Sequence, residues 1–224
     1  MAAQRMTGKE ILGQYFPGAE PADEATGQTW KSFSGSGFAL ETLNATDIAY
    51  LPDLARARDE ASLRSGLNPG ASFTVRAFGS TSAFRGATLA PGWTAAFTEG
   101  DWIATQPLRT LNDRHLLVET MRHEFMHALV EREAGATAPL WLREGIVESW
   151  SEGRSADANR RPPMKIDAVD TALVHARSLA ESEAAHRAAA WYAARLLEHY
   201  GRVQVLAWLR SGIPGEIVTA VGQR

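Results

Sequence analysis

The stretch of this chain richest in reactive side chains reads Arg122-His123-Glu124-Phe125-Met126-His127. Residues four apart on a helix share a face, so the imidazoles of His123 and His127 project together and can close on one ion at about 2.0–2.1 Å. Glu124 is offset from that line by about 100°. From there its carboxylate reaches a water on the metal more readily than the metal itself. The chain has no cysteine, so disulfides and thiolate sites are excluded, and any metal must be held by His, Asp or Glu. Histidines at this spacing with a glutamate between them point to Zn2+ and to hydrolysis by an activated water, with Glu124 as general base. Met121, Phe125, Ala128 and Leu129 supply the apolar residues that such a helix needs to pack into a core.

A second segment reads Pro139-Leu140-Trp141-Leu142-Arg143-Glu144-Gly145-Ile146-Val147-Glu148. An H-E-x-x-H helix, a turn and a helix bearing W-L-x-E-G-x-x-E resemble the gluzincin metallopeptidases, the peptidase MA-like group. The resemblance implies that Glu144 is the third zinc ligand and that Gly145 lets the two helices approach closely. It also implies that Glu148, one turn beyond Glu144, orients a ligand histidine through its other ring nitrogen. Sixteen residues separate His127 from Glu144, slightly fewer than in the best-known gluzincins, which calls for a shorter connection. Related enzymes stabilise the oxyanion with a Tyr or His from a later helix, so the resemblance offers Tyr192 first, with His186 and His199 behind it.

Three protein ligands leave a fourth zinc position for water, whose pKa falls to near 7. Glu124 would take its proton during attack on a carbonyl and return it to the leaving amine. The reading is therefore a zinc-dependent peptidase acting on a peptide or protein substrate. The alternative is a non-catalytic or cell-envelope binding module that retains a structural zinc site. His115 lies about 12 Å along the helix from His123, too far to share the ion, and His175 reads as a surface residue.

The elements that must hold these residues follow from periodicity. Phe38 to Leu43 reads as a strand, and Ile48 to Leu67 as a helix capped by Thr46 or Asp47, with Pro52 in its first turn or breaking it. Ser72 to Phe78 alternates as a half-buried strand, and Thr81 to Ala87 as a short helix. Trp93–Phe97 and Asp101–Pro107 flank Thr98-Glu99-Gly100 as a hairpin. That hairpin resembles the edge strand on which gluzincins lay an extended substrate, which makes the main chain of Ile103 to Thr105 a candidate peptide binder. Thr110 or Asn112 caps a metal helix running to Ala134, and Gly135 ends it in a left-handed conformation. Trp141 to Glu152 is a helix, Gly153 to Lys165 a loop, and further helices cover 169–180, 183–200 and 203–210, broken at Gly201 and at 212–215. Ala190-Trp191-Tyr192-Ala193 and Tyr200-Gly201-Arg202 resemble the helix that closes many peptidase MA-like domains, so the likeness covers about residues 72–212.

The expected fold class is α+β: a small N-terminal mixed or antiparallel sheet with an edge strand over the cleft, followed by a mainly helical half carrying the zinc site. Residues 1–36 read as an N-terminal extension and 37–224 as a zincin-like domain, with a strand-rich lobe over 37–110 and a helical lobe over 111–224. The 224 residues are 45% hydrophobic and 22% charged, ordinary for a globular chain, and the net charge of −3 argues against nucleic acid as partner. Seven tryptophans fall mostly within helices, where packing accounts for them. No apolar run reaches the length of a membrane span, and the start Met1-Ala2-Ala3-Gln4-Arg5 lacks the apolar region of a signal peptide. The family resemblance nonetheless implies an exported protein of the bacterial envelope or the outside of the cell, with the cytoplasm as the alternative. Oligomeric state is not legible.

Overall fold

Apolar residues alternating over four to five positions build the N-terminal side of the molecule as strands. The computed structural model describes residues 29–70, 72–151 and 162–223. Most of the expected extension (1–28), residues 153–161 of the expected loop and Glu152, the expected end of the helix before it, therefore lie outside the described residues. The chain divides into two compact units: the part up to Glu60 together with Asn68–Ala128, and Ala61–Leu67 together with Leu129 onward. The division falls inside the helix that carries His123 and His127.

In the first unit the strands are β1 (Lys31–Gly35), β2 (Phe38–Thr42), β3 (Phe73–Ala77), β4 (Ala96–Glu99) and β5 (Trp102–Thr105). They form one five-stranded mixed sheet in the order β1-β2-β3-β5-β4. β1 lies within the segment expected to be an extension and pairs antiparallel with β2. β2 and β5 run parallel to β3 on either side of it, and β4 returns antiparallel on β5. The parallel pairings need crossovers, which α1 (Leu51–Ser65) and α2 (Thr81–Thr88) supply.

Residues opposite each other in register share a face of the sheet. One face carries Phe38, Leu40, Phe73, Val75 and Ile103, all buried, with Thr98 opposite Ile103 at the edge. Phe38 and Phe73 meet Phe125 at ring-centroid distances of 6.0 and 5.5 Å, so this face is covered by the motif helix. Ala104 and Phe97, on the other face, pack with Phe78, Ala83, Phe84 and Ala87 of the α2 region.

Helix α1 is preceded by a 3-10 turn, Ala45–Tyr50, and Pro52 falls in its first turn as expected. The cap is Asn44, whose side chain accepts from the Thr46 N–H. Asp47 is instead buried, accepting from the Thr42 hydroxyl at 2.6 Å, and burial raises its pKa while that bond lowers it. The motif helix also starts later than expected. A short helix α3 (Leu108–Asp113) ends where His115 takes a left-handed conformation at φ 59, and α4 (Leu117–Glu133) begins afresh. The Leu116 N–H bonds back to the Leu111 carbonyl across this break, so neither Thr110 nor Asn112 caps α4.

The second unit is helical: α5 (Leu140–Ser151), α6 (Ile166–His175), α7 (Leu179–Ser211) and α8 (Gly215–Gly222). Ser178 caps α7, which breaks at Gly201 (φ 73), as expected from the sequence. Helix α5 lies closest to α7, because a Cβ on Gly145 would run into the Ala189 carbonyl and stand 2.7 Å from Ala193 Cβ. The first N–H groups of α5 need a partner, and Trp141 donates to the Asp170 carboxylate of α6 at 2.6 Å. Gly135 is not left-handed. A Cβ there would strike the Arg210 carbonyl, and its N–H donates to Leu209 at 2.8 Å. Gly135 therefore serves a close approach and not a helix cap. Among the described residues no helix is long and apolar enough to cross a membrane.

Candidate active site

Helix α4 is a 17-residue element with Met121 and Phe125 fully buried, and Phe125 seats it on the sheet against Phe38 and Phe73. His123 and His127 are half-buried, with Nε2 atoms 3.0 Å apart and rings 69° from parallel. Two nitrogens each about 2.0–2.1 Å from one tetrahedral zinc stand about 3.3 Å apart. In donor type and spacing the pair thus fits a zinc ion. Among the described residues, no group of three or more His, Asp and Glu side chains is gathered that could hold a metal.

Glu124, 7% exposed, is nearly buried. The Thr98 hydroxyl of β4 lies 2.5 Å from its Oε2 and 3.2 Å from its main-chain oxygen. Burial also raises the pKa of the neighbouring Glu99. Thr98 was no sequence candidate, since Thr98-Glu99-Gly100 reads as a turn. The turn is Gly100-Asp101, with Gly100 at φ 57, and Thr98 is a strand residue. Only the register, which sets Thr98 in line with Leu40, Val75 and Ile103, shows that it faces α4.

Glu144 and Glu148 sit one turn apart on α5 and both approach His186 of α7. His186 Nδ1 is 3.0 Å from a Glu148 oxygen and 3.6 Å from a Glu144 oxygen. Glu148, expected to orient a ligand histidine, thus meets His186. Within the first unit His123 meets His127, and within the second Glu144 and Glu148 meet His186.

Two expectations are corrected. Tyr192 is core: 2% exposed, ringed by Trp141 and Trp191, with its hydroxyl donating to the Met164 carbonyl at 3.0 Å. Its proton is in use there, and burial raises its pKa. Ile103–Thr105 is not an edge, because β5 is paired on one side with β3 and on the other with β4. Because β5 is the strand that pairs with β3, the outermost strand of the hairpin is β4. His199 lies apart from the motif residues of its unit, lining a groove with Arg195, Glu198, Tyr200, Ala220 and Val221.

No family model, characterised protein or solved structure matches the chain. The gluzincin likeness accordingly stays with the motif residues themselves.

Proposed function

We propose that the protein is a zinc-dependent peptidase with His123, His127 and Glu144 as ligands and Glu124 as general base. The observation that carries this reading is the 3.0 Å approach of the His123 and His127 Nε2 atoms on the helix that also holds Glu124. Zinc, when bound, supplies a Lewis acid and lowers the pKa of a coordinated water to about 7. The chain's own residues do the rest. Glu124 takes the proton of the attacking water and passes it to the leaving amine. His186, beside both α5 carboxylates, takes over from Tyr192 as the donor for the developing oxyanion. An extended peptide adds as a strand on the outer side of β4, its main chain satisfied by Ala96–Glu99.

The test pairs metal analysis with a cleavage screen of a peptide library, on wild type and Glu124→Gln. The expected outcome is one zinc per chain in both proteins and hydrolysis in wild type alone, with the variant slower by about 10²–10⁴-fold. A fully metallated wild type that cleaves no peptide would favour the binding-module alternative, and a chain purified without stoichiometric zinc would sink both.

A further inference from the structure

We propose that Thr98 is a positioning residue for Glu124, holding its carboxylate through Oε2. The inference rests on the peptidase reading and extends it to a residue outside the metal motif. Along the sheet, Leu40, Val75 and Ile103 form an apolar row facing α4, and Thr98 is its fourth member. Valine has the same shape as threonine and would continue the row. The hydroxyl sits where the row meets Glu124 Oε2, at 2.5 Å.

A threonine hydroxyl has one proton to donate. The carboxylate, closer and charged, outcompetes the Glu124 carbonyl at 3.2 Å for it. One oxygen of the base is therefore held by the strand. A β-branched side chain in a strand has few χ1 choices, and β4 is pinned to β5 through the Thr98–Ile103 pair. The donor's position is thus set by the sheet, whereas Glu124 has three side-chain torsions to restrain. A general base must lie within hydrogen-bond reach of the proton that it takes, and misplacement by about 1 Å can cost about 10²-fold in rate.

The experiment uses zinc-loaded full-length chain in wild-type, Thr98→Val and Thr98→Ser forms, with kcat and KM measured on a peptide that the wild type cleaves. In Thr98→Val, kcat falls about 10–100-fold while KM and zinc content hold. Thr98→Ser, which keeps the hydroxyl, recovers most of the loss. Should Thr98→Val not fold, Thr98→Ala supplies the same comparison. An unchanged kcat in the valine or alanine variant overturns the proposal and leaves the peptidase reading standing. A metallated wild type without hydrolysis overturns the peptidase reading and this role with it. A readout independent of turnover comes from urea midpoints of the metal-free protein. Thr98→Val lowers the midpoint more in the native background than when Glu124 is already alanine, where the hydroxyl keeps only the main-chain carbonyl, and an equal loss in both backgrounds overturns the proposal.

Discussion

Tyr192 shows how a polar tip inside the core is distinguished from one in a site. Its ring is enclosed by two tryptophans and its hydroxyl serves a main-chain carbonyl, so removing the hydroxyl costs a hydrogen bond and no chemistry. Tyr192→Phe is expected to lower stability by about 1 kcal/mol and to leave kcat unchanged, which urea unfolding and peptide kinetics check. The same burial sets a pH dependence. The folded-state pKa lies above the ordinary 10.0, so the unfolded chain releases this proton first. The contribution is intact below pH 10 and is lost as the pH rises through the folded value. Urea midpoints measured upward from pH 9 should fall in wild type, and less steeply in Tyr192→Phe. Glu124 is the contrasting residue: its carboxylate is only 7% exposed and accepts from the Thr98 hydroxyl of the neighbouring strand.

Elements were legible where local pattern decides them. The strand at Phe73–Ala77, the helix at Thr81–Thr88 and the break at Gly201 follow from alternation, capping chemistry and the freedom of glycine at positive φ. The H-E-x-x-H spacing likewise needs only a helix to bring its two histidines together. Features set by long-range partners were not legible. Which strand of the 96–105 hairpin lies at the edge depends on β3, about 20 residues away, and that choice decides the role of Thr98. The start of α5 depends on Asp170, 29 positions along the chain. The break before α4 falls on a left-handed histidine, a conformation that glycine would have announced. Gly135 was read as a helix end because glycine commonly serves there, whereas the cause is a carbonyl from α7. Gly145 is the same device on α5. Gly145→Ala puts a methyl against the Ala189 carbonyl, and because main chain cannot yield as a side chain does, the cost should be about 1–3 kcal/mol or more. A lowered urea midpoint with unchanged helical circular dichroism is the expected result.

For the molecule as a whole, a ligand that binds only the folded chain raises its stability by mass action. Zinc at about a hundredfold excess over its dissociation constant adds about 2.7 kcal/mol. Chelation by EDTA should therefore lower the thermal midpoint, readdition of zinc should restore it, and a His123→Ala variant should show neither response in calorimetry. The order of elements along the chain has a consequence for biosynthesis. All five strands are complete by Thr105, yet Phe125, which covers Phe38 and Phe73, comes twenty residues later. On a ribosome adding roughly 5–20 residues per second, the nascent sheet leaves those two phenylalanines bare to water for about 1–4 s. That interval is when a holdase chaperone would find an oily surface to grip, and the arrival of the histidine helix closes it.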